Sequence, residues 1–360
     1  MSRSIKPARK PARKPRPVAP PRGVIVYRGP SLIDGAPIVV VATGLRGSSR
    51  NAKTSGARPL AQTYIIPAAM LQGISGSTAR GARAADYKRW TLNLRGGCDA
   101  GACGSCGKRP ALAAAAAGDA SLPVDPCYVR NGPPEVARAI VRGAYPDATP
   151  AQAAAYVAAS VAAGRIAGVR AGAWGDPAAA PLAVHAPLID AARATSQPSG
   201  RRGVATAYTR RWIASDGRPS EGVYLWRHYA MASAHTVAEA RDAVSAGWRP
   251  FLVVDPRLPS ELDGAVALTH ALTRYGREAF PAHAGHMHCP ASRERGGAIG
   301  CADCGACNGG TGPAVTIGSH GHYTRGATAC AAVDGMVARM REARDAARRR
   351  APVPGLIALH

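Results

Sequence analysis

Eight of the nine cysteines in this chain fall into two spaced groups, and thiols at such spacing can hold a soft metal ion or cluster. The first group, Cys98, Cys103, Cys106 and Cys127, reads C-x4-C-x2-C-x20-C. The second, Cys289, Cys301, Cys304 and Cys307, reads C-x11-C-x2-C-x2-C. A two-residue gap lets one tight turn aim both sulfurs the same way. Three closely spaced thiols with a distant fourth commonly carry a cubane iron–sulfur cluster, whereas zinc more often takes two separated pairs. Iron–sulfur and zinc both stay open for these eight residues. His283, His286 and His288 lie just upstream of the second group and read as a polar, solvated loop. Cys330 reads as a core thiol in an Ala-rich helix.

Three other residues are candidates for chemistry. Gly47–Thr54 (GSSRNAKT) approaches a phosphate-cradling P-loop after an apolar strand, but Ala52 stands where that motif needs glycine. Lys53, with Asn51 and Thr54, nevertheless forms a cationic loop suited to an anionic ligand. Asp176, in the string AWGDP, closes an expected strand and could accept hydrogen bonds from a ligand hydroxyl or amine. Arg210 closes another, beside Tyr208 and Thr209. With Ser233 and His320, these strand ends would ring one mouth of a parallel α/β fold, the edge where ligands bind. Asp176, Arg210 and Lys53 are therefore the candidate catalytic residues.

The elements that must position these groups follow from hydrophobic pattern and punctuation. Residues 1–22 carry eight Lys/Arg, no acid and a KPARKPARKPRP repeat, and are expected to be a disordered basic tail. Lys6, Arg9, Lys10, Arg13, Lys14 and Arg16 could displace counterions from DNA or RNA. The remainder, 23–360, reads as a single α/β domain with Cys-rich insertions at 96–130 and 283–310. Strands are expected at 36–42, 62–66, 166–171, 203–208, 229–233, 250–254 and 314–318. Helices are expected at 133–142, 149–163, 236–246 and 329–350, with Thr149 and Pro150 suiting an N-cap and first helical position. This alternation argues for a parallel sheet as a complete or partial (β/α) barrel, with an open doubly wound sheet as the alternative.

Bulk composition narrows the setting. The chain has 360 residues and a formal charge of +24, with 46% hydrophobic residues but only 5% aromatic, so its core is built largely from small side chains. Part of that charge is expected to follow from an Ala-, Gly-, Arg- and Pro-rich coding bias. No signal-peptide pattern and no membrane-length apolar run is visible. The expected compartment is cytoplasmic, in a bacterial host cell, where reduced thiols more often hold metal than form disulfides.

Two local resemblances and one longer one bear on function. Cys98–Lys108 (CDAGACGSCGK) resembles the cluster loop of plant-type [2Fe–2S] ferredoxins, although Cys127 follows sooner than that family's last cysteine. The C-x4-C-x2-C spacing, the Gly175–Asp176 strand end and the C-terminal cysteines distantly resemble radical S-adenosylmethionine barrels, which use C-x3-C-x2-C. That likeness implies S-adenosylmethionine as a cofactor, and the altered spacing puts it in doubt. Over residues 24–322 the chain resembles a family of Cys-rich proteins encoded by phages and plasmids. Its matching stretches include Asn51–Gly56, Cys103–Cys106 with Cys127–Val129, Gly168–Pro177, Tyr208–Trp212, Cys289–Ser292 with Cys301–Cys307, and Ile317–Gly321. It implies that Cys103, Cys106 and Cys127 belong together and implies no activity.

Two functional readings result. In one, the chain is an iron–sulfur enzyme with a cluster at the first group, an auxiliary cluster at the second, and substrate against Asp176, Arg210 and Lys53. In the other, zinc at both groups stabilises a nucleic-acid-binding protein of a phage or mobile element.

Overall fold

The computed structural model describes residues 19–47, 58–104, 106, 132–213, 221–254, 259–274, 286–290, 299–310, 312–318 and 327–350. Nine strands form one open sheet in the order β1-β2-β3-β4-β5-β6-β7-β9-β8. It opens with an antiparallel meander: β1 (Gly23–Pro30), β2 (Pro37–Thr43) and β3 (Leu60–Pro67). From β3 onward every pairing is parallel, through β4 (Gly168–Trp174), β5 (Val204–Thr209), β6 (Met231–Ala234), β7 (Pro250–Val254), β9 (Ala314–Gly318) and β8 (His286–His288). The sheet is not closed, so a complete barrel is corrected to an open one. The antiparallel start places β1 at one edge, where its register cannot propagate the parallel order.

The strongest strands are those with unbroken apolar, β-branched sequence. β2 (PIVVVAT) and β3 (LAQTYIIP) are buried almost throughout, as expected of strands covered on both faces. Helices follow most strands of the parallel part of the sheet. They are α1 (Ala82–Arg95), α2 (Ala100–Cys103), α3 (Gly132–Val141), α4 (Pro150–Ala162), α5 (Leu182–Ala194), α6 (Val237–Ser245), α7 (Pro259–Arg274), α8 (Cys301–Cys304) and α9 (Ala327–Arg350). α4 begins as its sequence dictates. Thr149 Oγ1 accepts from Gln152 N at 3.2 Å, Gln152 Oε1 accepts from Thr149 N at 2.8 Å, and Pro150 occupies the first turn.

The C-terminal half of the sheet has two unlike faces. On one, Ala234, Leu252, Val254 and Ala314 pack against Val237, Ala240 and Val244 of α6, Ala265 and Leu268 of α7, and Met340 of α9. On the other, Met231, Val315, Ile317 and Cys289 form a separate cluster with Tyr208, Phe251, Val253 and Met287. Among the described residues, the cover on this second face comes from Cys301, Ala306 and Cys307, not from a long helix.

α1 carries little apolar surface, burying only Asp86 and Trp90. Its docking depends on an ion pair between Asp86 and Arg138 of α3, whose side chains are 3% and 6% exposed. Asp86 also accepts from Ser75 N at 2.7 Å, Ser75 Oγ at 2.9 Å and Gly76 N at 3.1 Å, while Arg138 Nη2 donates to Ser77 O at 2.8 Å. Removing one partner leaves a buried charge alone, at a cost of about 3–5 kcal/mol. Asp86→Ala is therefore expected to lower unfolding stability in urea by about that amount, with much of it restored by adding Arg138→Met. A single-variant loss below about 1 kcal/mol would contradict this docking role.

Candidate metal centre

The second cysteine group lies against the second face of the C-terminal strands, with Cys301, Cys304 and Cys307 in the loop before β9 and Cys289 at the carboxyl end of β8. Cys301 and Cys304 begin and end the one-turn helix α8, so their three-residue separation puts both on one side of the turn. Gly305, at φ 61°, ends that turn in the left-handed conformation and redirects the chain toward Cys307. Cys289 follows β8 and stays in the ladder, its N–H donating to Thr316 O at 2.8 Å. The Cys307 thiol lies fully inside the protein, although the residue as a whole keeps some exposed surface. Burial pushes this thiol well up from its ordinary range. A hydrogen bond from Tyr208 opposes that rise, and the charges of Cys289, Cys301 and Cys304 add to it. Cys289, Cys301 and Cys304 thus lie within electrostatic range of Cys307, and Cys289, Cys301 and Cys307 pack in one cluster.

Electrostatic range exceeds ligation range. Among the described residues no group of three or more His, Cys, Asp or Glu side chains is already drawn together to hold a metal ion.

Arginines from several elements fix the ligand loop. Arg249, just before β7 and 2% exposed, donates to Ala306 O at 2.7 Å, Asn308 Oδ1 at 2.9 Å, Gly309 O at 2.6 Å and Pro313 O at 2.7 Å. Arg193 of α5 donates to His228 O at 3.2 Å and to Asn308 O. Arg201 reaches Asp303 O at 2.8 Å and its carboxylate at 3.2 Å. Gly309, at φ 84°, lies so close to Tyr229 that a Cβ there would stand 2.4 Å from its carbonyl carbon. That approach seats the loop on the entry to β6.

The first group lies at the carboxyl edge of the sheet. Cys98 follows α1, Cys103 ends α2, and the N–H of Cys106 donates to Cys103 O at 3.1 Å. Cys98 and Cys103 pack on the main core. Asp176 N donates to Ala102 O at 2.6 Å, and Ser31 Oγ donates to Gly101 O at 2.6 Å, which ties this loop to the carboxyl end of β4. Cys127 lies outside the described residues, as do Lys53, Asn51, Thr54, His283, His320 and the tail cations Lys6, Arg9, Lys10, Arg13, Lys14 and Arg16. Cys330 falls in α9 as expected. His286 and His288 lie in β8, and His288 is buried, so their expected solvated loop is corrected to a strand whose ladder with β9 draws it inside.

Asp176, Arg210 and Ser233 do meet at the carboxyl edge. The Asp176 carboxylate is 8% exposed and accepts from Ala178 N at 2.9 Å, Arg210 N at 2.6 Å and Arg211 N at 3.3 Å. Burial raises its pKa against those bonds and that of Thr209. Arg210 forms a two-pronged pair with Glu239 of α6, both contacts at 2.5 Å, and donates to Ser233 O at 3.1 Å. These groups are bonded to the protein itself and lace β4, β5 and β6 together. Tyr208 leaves this mouth: alternation along β5 turns it to the face that carries Cys307. The role of Arg249 had no local sequence signal, since its acceptors lie about 60 residues on.

No family model, curated protein or solved structure matches the chain. Among the described residues, no helix is long and apolar enough to cross a membrane.

The lacing role of Asp176 has a measurable consequence. Asp176→Ala strands buried N–H groups and is expected to lower stability by about 2–4 kcal/mol in denaturant unfolding. Metal content at the second cysteine group should not change. Unaltered stability would contradict the lacing role.

Proposed function

We propose that this chain is a metal-binding α/β protein in which Cys289, Cys301, Cys304 and Cys307 hold one zinc ion or one iron–sulfur cluster. The observation that carries the reading is the packing of Cys289, Cys301 and Cys307 into one cluster on the second face of the sheet, with Cys304 one turn from Cys301. Four sulfur donors favour zinc or iron over the oxygen-seeking cations magnesium and calcium.

Position within the fold supports a structural or electron-holding centre over a substrate-facing one. Ligand and catalytic sites of parallel α/β proteins collect at the carboxyl ends of strands, whereas the loop carrying Cys301, Cys304 and Cys307 sits on the amino ends of β5, β6 and β7, with Cys289 reaching it from the end of β8. A bound metal supplies cross-links between residues distant in sequence. The chain itself seats the loop, excludes water with Met231, Phe251 and Val315, and keeps Cys289 in register through β9.

Elemental analysis of anaerobically purified protein, with absorption spectra, tests this reading. The expected result is about one zinc, or about four irons with absorption near 400 nm, lost on Cys301→Ser/Cys304→Ser substitution. Wild-type protein without stoichiometric zinc or iron, or a metal content indifferent to those substitutions, would overturn it.

A further inference from the structure

We infer that the outward face of α1 is a docking surface for the phosphate backbone of nucleic acid, with Lys88 and Arg95 as its central contacts. The inference goes beyond the metal reading and does not depend on it.

Between Arg80 and Arg95 the chain carries five Lys/Arg and one acid. The acid, Asp86, is 2% exposed and already bound to Arg138, Ser75 and Gly76. Arg83 pairs with Glu135 of α3 at 2.6 Å. Arg80, Lys88, Arg89 and Arg95 are exposed, and among the described residues none of their side chains has an ion pair or hydrogen bond. A helix face kept only for solubility mixes signs and gains from acids one turn before its cations. The residues four positions before Lys88, Arg89 and Arg95 are Ala84, Ala85 and Thr91.

Geometry turns these charges away from the body of the protein. At 3.6 residues per turn, Lys88 and Arg95 fall opposite Asp86 and Trp90, the two residues that α1 buries. The anchors of α1 leave them free. Asp86 holds Arg138, the Trp90 ring lies 5.2 Å from that of Trp174, Tyr87 donates to Glu135 at 2.9 Å, and Asn93 donates to Met70 O at 3.1 Å and Gln72 O at 3.0 Å. Little in α1 favours a helix by itself. Its N-cap, Gly81, makes no side-chain bond, and no acid stands in the first turn to offset Arg83. A costly buried ion pair thus holds in place a helix whose exposed side is cationic and unpaired.

Nucleic acid is the partner this face fits. Lys88 and Arg95 lie about 10 Å apart along the helix axis, so each reaches a different phosphate of a strand that rises about 3.4 Å per nucleotide. The +24 charge of the chain adds long-range attraction for a polyanion. An anionic membrane fits less well. A helix lying in a bilayer interface needs an apolar face, and on α1 Leu92 alone is a large apolar side chain exposed to solvent.

Fluorescence anisotropy of the full chain with labelled duplex DNA and labelled single-stranded RNA, across a salt series, tests this surface. The Lys88→Gln/Arg95→Gln double substitution is expected to reduce the slope of log affinity against log salt by about 1.8 on the duplex or about 1.4 on the single strand, two phosphate contacts' worth. Each single substitution should give half of that, and serves if the double one perturbs folding. Arg165→Gln/Arg241→Gln removes the same charge from exposed positions on other elements and should leave the slope unchanged. The basic tail is common to every variant, so differences between them read α1. Matching far-UV circular dichroism and urea midpoints separate binding from misfolding. Wild-type protein that binds neither nucleic acid, an α1 variant with the wild-type slope, or an equal loss in the Arg165/Arg241 variant would each overturn the inference. Binding to phosphatidylserine vesicles but to neither nucleic acid would overturn it in favour of a membrane.

Discussion

The structure depends on how the second face of its C-terminal strands is covered. Strands β5 to β9 present apolar side chains on both sides, and α6, α7 and α9 cover one of them. On the other, Met231, Phe251, Val315 and Ile317 meet a short loop built from glycine, alanine and cysteine. Such a loop buries little apolar area, so van der Waals contact alone gives it little hold. Arg249 compensates by binding its carbonyls from beneath, and metal ligation by its thiols would add cross-links that hydrophobic packing does not supply.

The two edges of the sheet are arranged on different principles. At the carboxyl edge, Asp176, Arg210 and Glu239 satisfy one another and the neighbouring backbone, converting three strand ends into a rigid rim. Charges there are paired within the protein. At the amino edge, the buried Arg249 guanidinium is held by backbone carbonyls and an amide oxygen, with no carboxylate partner among the described residues.

Much of the sheet was legible because its strands are unusually plain in sequence. The runs at 37–43, 60–67, 250–254 and 314–318 are dominated by apolar and β-branched residues, which period and length identify directly. Thr149, Pro150 and Gln152 likewise announce their helix through local hydrogen bonding. α1 was hidden because its docking rests on the Asp86–Arg138 pair and one buried ring, Trp90 against Trp174, with no apolar stripe to read. α5 was hidden by Pro187 inside it, a residue that ordinarily ends a helix. Cysteine spacing pointed to the Cys289, Cys301, Cys304 and Cys307 group, yet spacing cannot say which sheet edge a loop reaches. Arg249 was invisible as an anchor of that loop because its contacts are made entirely through tertiary structure.

The central claim is that the sulfurs of Cys289, Cys301, Cys304 and Cys307 converge on one inorganic centre. X-ray absorption at the zinc or iron edge, on a chain carrying Cys103→Ser and Cys106→Ser to silence the other group, reads this directly. The account predicts a first shell dominated by sulfur at about 2.3 Å. A shell of nitrogen and oxygen without sulfur would contradict it.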